Sequence, residues 1–325
     1  MIGIAPELIG SHRATGNLLN NMNYDYDVII IGAGAAGMTA SIYASRYTLK
    51  NVVIGDILGG TTTEAHKIYN WPGDPGITGF ELMDKMAKHV KESGGEILSD
   101  IVIDVVKEEN GFTVITKRGK TFTCKVVLFT SGTKHRHLGI AREDELAGKG
   151  VAYCATCDGP LFRGLNVALV GGGNSVISAA LYMADIAKQV YVIVRGDDLK
   201  GEPVWREELK KRENVKIITN ANIKSLVGAE RLEALELDNG SENIIVDGLF
   251  VEIGLVPQTE LAKKLGVETT DFGYIKVKED MSTNIAGVYT AGDSSNASNN
   301  FHQVVTAVGE GSVAADAIYK ALSVK

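Results

Sequence analysis

The chain is poor in cysteine, tryptophan and proline, with three, two and six of them in 325 residues. Three cysteines cannot staple a disulfide scaffold. Aromatic residues are scarce as well, at 6%. No basic excess exists, since the net charge is −7, and no basic stretch dominates, so nucleic acid is not an expected partner. No apolar run reaches the roughly 18 residues of a membrane span, so none is read. Residues 1–22 lack the basic start and apolar core of a secretory leader. They read as an N-terminal extension ahead of the first organised segment. Glycine, by contrast, is abundant at 37 residues. Hydrophobic residues at 45% and charged residues at 22% make an ordinary globular composition. At roughly 100–200 residues per domain the length suggests two domains. Many glycines and few aromatics suit an α/β protein with tight strand-to-helix turns.

Two segments carry such turns. In the first, Val28–Ile31 is a β-branched run that reads as a buried strand, and Gly32-Ala33-Gly34-Ala35-Ala36-Gly37 follows it into a small-residue helix pattern. This is the context a dinucleotide motif requires. Gly32 permits the turn, Gly34 lets backbone approach a pyrophosphate, and Gly37 lets helix and strand pack closely. The helix N-terminus, where Ala35 and Ala36 lie, offers free N–H groups to phosphate. A strand at Asn51–Ile54 ends near Asp56, placed to read a ribose hydroxyl. The second segment has a strand at Val167–Val170, a turn at Gly171-Gly172-Gly173, a helical pattern over Ser178–Ala187 and a strand at Gln189–Val194. One glycine-rich turn is weak evidence; two in full strand–turn–helix context are much stronger.

Further turns point the same way. Thr130-Ser131-Gly132 closes a strand at Val126–Phe129, beside the first nucleotide. Gly287–Asp293 is a strand ending in Gly292-Asp293, ahead of a helix over Gln303–Leu322. Asp293 either bonds ribityl hydroxyls or is a plain turn residue.

Two cysteines stand at Cys154-Ala155-Thr156-Cys157, followed by Asp158. Thiols at this spacing close a small disulfide ring that exchanges electrons through a mixed disulfide. That chemistry needs one thiolate near neutral pH and an acid for the leaving thiol's proton, for which Asp158 is the evident choice. Half of a zinc site would need two more ligands, and neither a second Cys-x-x-Cys nor a His-x-x-x-His exists; no metal is expected. The six histidines are scattered, with His135 and His137 reading as a polar loop. Cys124, in FTCKVVLF, reads as a core residue. An exchangeable pair with so few cysteines suits the reducing cytoplasm.

The ordered set GAGAAG, YNWPGDPGITGFELMDKM, LFTSGTKHRHLG, CATCDGPLF, VGGGNSV, IGLVPQT and VYTAGD, then HQVVTAVGEGSVAADA, is similar to the low-molecular-weight thioredoxin reductases of bacteria and archaea. The likeness covers about residues 24–322. It implies an FAD/NAD(P)-binding disulfide oxidoreductase fold: α/β, with two Rossmann-like dinucleotide-binding domains, the second inserted into the first. An FAD domain would span 23–133 and 257–325. A nicotinamide-type domain carrying the cysteines would span 134–256, hinged near Lys134–Gly139 and Gly254–Pro257 and rotating to present either the cysteines or the nicotinamide to the flavin. The resemblance further implies a homodimer and thioredoxin, or a similar protein, as substrate. Carried over by position, Cys157 lies nearest the flavin, Cys154 attacks the thioredoxin disulfide and Asp158 is the acid/base. Asn70 contacts the flavin, and Asp293, Gln303 and Val304 hold the ribityl chain and isoalloxazine edge.

The departures gather at the nicotinamide site. Val176 stands where the family has alanine, so a branched side chain is expected to push the helix from its strand or crowd the pyrophosphate. Where the family grips the 2′-phosphate of NADPH with several arginines, the chain reads Val194-Arg195-Gly196-Asp197-Asp198-Leu199-Lys200. Arg195 remains, Gly196 replaces a second arginine, and two acids are added. Carboxylates repel a phosphate, and Asp197 or Asp198 suits the ribose 2′-OH of NADH. Three donors stay open: NADPH, NADH, and another such as ferredoxin, which some relatives of this fold use. Near the flavin, Thr61 stands where glutamine is common and His302 where arginine is common. A flavin oxidase, a peroxiredoxin-system reductase and a non-turnover flavoprotein are the competing readings; the intact Cys-x-x-Cys-Asp argues for disulfide reduction.

Overall fold

A run of apolar β-branched residues fixes the centre of the first sheet. Val28 and Ile30 face one side, Ile29 and Ile31 the other, and all are buried, as a parallel strand covered on both faces requires. The structure is a computed structural model and describes residues 23–323 apart from His66 and Tyr69. The expected extension, residues 1–22, lies outside the described residues, as do His12 and His66.

Strand β1 (Tyr26–Ile31) leads into α1 (Ala35–Arg46) and β2 (Asn51–Ile54). A 3₁₀ turn (Gly60–Glu64), α2 (Gly79–Glu92) and β3 (Glu96–Leu98) follow. Helix α2 begins in a capping box in which Thr78 accepts from Glu81 N at 3.1 Å and Glu81 accepts from Thr78 N; such a cap is worth about 1 kcal/mol. Strands β4 (Val102–Glu108) and β5 (Gly111–Thr116) form a hairpin, and β6 (Thr121–Phe129) divides its length. Its first half pairs antiparallel with β5. Its second half pairs parallel with β1.

After β6 come β7 (Thr133–His135), α3 (Glu143–Leu146), β8 (Val151–Ala152) and α4 (Ala155–Asp158), which carries the second cysteine. Then follow β9 (Asn166–Val170), α5 (Asn174–Ala184), β10 (Gln189–Ile193), α6 (Pro203–Lys210) and β11 (Val215–Ile218). Three short strands, β12 (Ile223–Val227), β13 (Ala234–Leu237) and β14 (Ile244–Ile245), precede β15 (Gly248–Val251). The chain returns through β16 (Leu255–Pro257), α7 (Glu260–Lys264), β17 (Val288–Thr290) and α8 (Val304–Ser323).

Two parallel-centred sheets result. The first runs β3-β2-β1-β6, with β17 also on β6. The second runs β11-β10-β9-β15-β8 and lies wholly between β7 and β16, so one α/β unit is inserted into the other. The antiparallel pair β7–β16 joins them, with Lys134 opposite Val256. Alternate residues serve opposite faces in both. In the first, Val28, Ile30, Val53 and Leu128 pack on α1 and α8, while Ile29, Ile31, Val52 and Phe129 pack towards the hairpin and α7. In the second, Val167 and Leu169 face α5, while Ala168 and Val170 face β12–β14. Each such large aliphatic side chain removed from water contributes about 1.5–3 kcal/mol.

Cys124 is fully buried in β6, and burial pushes its thiol up to about 12. Helix α5 starts four residues before the expected Ser178. Val176 and Ile177 are poor helix formers, but both are fully buried in the inserted unit's core, and packing overrides propensity.

Candidate active site

The first glycine-rich turn is built by close backbone approach. Gly32 has φ +119°, and a Cβ there would lie 2.2 Å from Thr130 O; a Cβ on Gly37 would lie 2.1 Å from Gly32 O. Neither position tolerates a side chain. Thr130 is buried, and its Oγ1 donates to Gly32 O at 2.9 Å, so it braces the turn from behind. Gly132, one residue past the turn's neighbour, accepts from Gln258 N at 2.9 Å. Helix α1 opens behind Gly34 with no side-chain cap, which leaves first-turn N–H groups of Ala35 and Ala36 at a positive dipole end, a ready phosphate site. Asp56 is exposed at the end of β2. The 3₁₀ turn borders the same space, since a Cβ on Gly60 would stand 3.5 Å from Gly34 Cα.

A second set of expected residues converges at the start of α8. Asn70 Nδ2 donates to Gln303 Oε1 at 2.8 Å across 233 positions of sequence, and Val304 opens the helix. Gly292 N donates to Glu310 Oε2 at 2.7 Å. Burial raises the pKa of Asp293, the Glu310 carboxylate adds to this, and His302 opposes it. His302 lies against Tyr274 at 5.0 Å between rings, and its Nε2 is buried with no hydrogen-bond partner. A capless helix, a half-buried carboxyl and an orphaned imidazole nitrogen are groups that a bound dinucleotide with a polyhydroxyl chain would satisfy, so the residues present fit FAD. Glu310 was not singled out from the sequence. Its only signal was an acid between two glycines in a small-residue helix, where Gly311 packs on Ala36 O.

The cysteines are bonded, with S–S 2.07 Å and Cα–Cα 5.3 Å. Cys154 Sγ accepts from Cys157 N at 3.1 Å. Cys157 is exposed, while Cys154 and Asp158 are half-buried. Helix α4 packs beside the 3₁₀ turn of the first unit, so the sulfurs lie next to the wall of the first dinucleotide space. Next to Cys154, Tyr153 donates to Glu143 Oε1 at 2.8 Å and sits 3.1 Å from His137 Nδ1. His137 thus belongs to a network rather than a plain polar loop. Among the described residues no group of three or more His, Cys, Asp or Glu is placed to hold a metal ion.

The second glycine turn is less open. Gly171 must be glycine, since a Cβ would lie 2.3 Å from Glu252 O. Helix α5 opens at Gly173 without a side-chain cap. Val176 is fully buried in the inserted unit's core, in the cluster that holds Ala152 and Ala155. The loop after β10 folds over the turn. Lys200 N donates to Gly172 O at 2.7 Å, and Glu202 N donates to Asn174 Oδ1 at 2.7 Å. Arg195 and Asp197 are exposed. Asp198 is paired with Arg206 of α6 and accepts from Leu199 N. Arg206, eight positions beyond Asp198, was missed because the sequence run stops short of it.

Residues 26–311 match the model of the pyridine nucleotide-disulphide oxidoreductase family. A thioredoxin reductase of Listeria monocytogenes is 38% identical, covering 89% of this chain and 91% of its own. Among solved structures, the thioredoxin reductase of Lactococcus lactis in its FR conformation is 32% identical, covers 91% and 98% of the two chains, and superposes with TM-score 0.86. The ferredoxin-flavin thioredoxin reductase of Clostridium acetobutylicum has the same 32% identity and covers 92% and 99%, yet its TM-score is 0.51. With two bonded cysteines set beside a glycine-rich dinucleotide turn in a doubled α/β fold, the chain belongs to the pyridine nucleotide-disulphide oxidoreductase family, among its thioredoxin reductases.

Proposed function

We propose that the protein is a flavin-dependent disulfide reductase that passes two electrons through Cys154 and Cys157 to thioredoxin or a similar small protein. The observation that carries this reading is the Cys154–Cys157 disulfide held at a helix that packs beside the 3₁₀ turn bordering the first dinucleotide space. FAD belongs in the first unit, about 23–133 and 257–325, held by the Gly32–Gly37 turn, Asp56, Asn70, Asp293, Gln303 and Val304. The inserted unit, about 134–256, carries the sulfurs. A homodimer, as the resemblance to the family implies, and the reducing cytoplasm, where an exchangeable cysteine pair is more often catalytic than structural, complete the reading.

A bound flavin supplies the electron pair for the disulfide. The chain's own residues do the rest. Two electrons and two protons convert the disulfide to two thiols. The Cys154 thiolate then attacks one sulfur of the substrate disulfide, forming a mixed disulfide and releasing a substrate thiolate. The Cys157 thiolate attacks Cys154, which re-forms the internal bond and releases the second thiolate. Asp158, within the same turn, gives a proton to the leaving sulfur.

The inserted unit's edge argues against NADPH as the best donor. A 2′-phosphate that reached Arg206 would have to displace the Asp198 carboxylate already paired with it, and like charges so placed disfavour binding. Anaerobic stopped-flow bleaching of the flavin by NADPH, NADH and reduced ferredoxin tests this. NADPH is expected to be slower than the best donor by at least about tenfold, roughly 1.4 kcal/mol. Asp198→Asn is expected to narrow the gap. Fast saturable bleaching by NADPH in the unaltered protein would overturn the expectation.

A further inference from the structure

Two ionisable residues pair where the two units join, a third lies within electrostatic reach of both, and the disulfide chemistry uses none of them. Glu64 closes the 3₁₀ turn of the first unit. His135 ends β7, one of the two joining strands. Glu252 follows β15 of the inserted unit, and its backbone N donates to Val170 O at 2.8 Å beside the second glycine turn. His135 Nε2 lies 3.0 Å from Glu64 Oε2, with side-chain exposures of 23% and 32%. We propose that Glu64 and His135, backed by Glu252, position the cysteine helix by clasping the inserted unit against the 3₁₀ turn, and that this clasp loosens as pH rises past neutrality. The proposal rests on the reading that the inserted unit takes more than one orientation on the first.

Three observations support that premise and the clasp. The units are joined by the β7–β16 pair, a narrow ribbon about which a rigid body can turn. Two solved relatives of equal identity and nearly equal coverage superpose at 0.86 and 0.51, the spread that a different packing angle between two conserved units produces. Helix α4 abuts the very turn that Glu64 terminates, so a bond from Glu64 to the ribbon acts where the sulfurs meet the first unit.

The sign of the pH effect follows from the groups that face one another. His135 faces Glu64 from the turn, Glu252 from the inserted unit, and the Tyr153 ring at 6.1 Å. The hydrogen bond that His135 donates to the Glu64 carboxylate raises the pKa of His135. Burial, with the Glu64 charge added and His135 opposing, pushes Glu252 up to about 7. In the clasped state at low pH the cluster holds an imidazolium, one carboxylate and one neutral carboxyl, which attract. As pH rises through about 7 and through the raised value of His135, the imidazole loses its charge and Glu252 gains one, leaving two carboxylates that repel and no cation between them. The clasp therefore takes up protons on closing; the His135 contribution is present in full below the ordinary histidine value of about 6.5, and the clasp is lost as pH rises through the raised values of His135 and Glu252.

The test is an inter-unit distance measured by pulsed electron spin resonance on the flavin-loaded protein, with spin labels at Lys91→Cys and Lys211→Cys. The native cysteines do not interfere, because two are bonded and one is buried. In the otherwise unaltered protein, the population at the distance of this structure is expected to fall several-fold between about pH 6 and pH 8.5, the interval that brackets these titrations. Glu64→Gln is expected to lower that population about two- to fivefold at the acidic end, the worth of a half-exposed ion pair, and to flatten the pH response. Glu252→Gln, which stays neutral, is expected to keep part of the population at alkaline pH. Profiles for Glu64→Gln that superpose on the parent's, with two distances present in both, would overturn the clasp alone. One distance at every pH in the parent would overturn the two-orientation reading and the clasp with it.

Discussion

Replacing Cys157 by serine is expected to stop turnover with a protein disulfide, by at least about a thousandfold, as loss of a covalent participant does. Flavin bleaching by the best donor is expected to be unaffected. A serine oxygen cannot form the internal bond that accepts the electron pair, nor can it resolve a mixed disulfide formed at Cys154. The variant should therefore accumulate the mixed disulfide with thioredoxin, visible as a covalent adduct that dithiothreitol removes. Cys157 is the more exposed of the two residues and shares α4 with Asp158, so the substitution disturbs no packed core. Turnover at the parental rate would reject the role assigned to the pair.

A valine at Gly37 is expected to yield protein without flavin. A Cβ there would stand 2.1 Å from Gly32 O and 2.7 Å from the Thr130 hydroxyl that braces the turn. Neither atom can retreat without breaking the seam between β1 and β6. The N-terminus of α1 must then swing out, and the donors that face the pyrophosphate go with it. Flavin absorbance per polypeptide is expected to fall below about a tenth of the parent's, and the melting temperature to fall with it through lost ligand linkage. Val176→Ala, at the corresponding position of the second turn, is the control. That position already carries a Cβ directed into the core, so flavin content is expected to stay at the parental level. A flavin-replete Gly37→Val protein would show that the first turn is not the cofactor's seat.

Local chemistry decided how much of this could be read in advance. The strands β1, β2 and β10 announce themselves as β-branched runs and β9 as an apolar one, and each glycine turn follows its strand without a gap, so the doubled architecture and the redox pair are legible from residues adjacent in sequence. What could not be read is what distance in sequence conceals. Nothing in the segment around Glu310 says that its carboxylate accepts from Gly292 N. Arg206 lies six residues past Lys200, on a helix separate from the Val194–Lys200 run. His135 looked like a loop residue because its strand is three residues long, too short to show alternation. The start of α5 was placed late because Val176 and Ile177 argue against a helix by propensity, while the core that stabilises them is formed by residues from β8 to β15.

The fate of Cys124 has a practical corollary. It is sealed in β6 with a thiol too weakly acidic to react. An alkylating reagent added to the native polypeptide therefore finds no sulfur when the internal bond is intact and two when it is open. Mass spectrometry of the labelled chain becomes a coulometer: each pair of adducts records one stored pair of electrons, independent of the colour of any cofactor, and a third adduct signals molecules that have lost their fold.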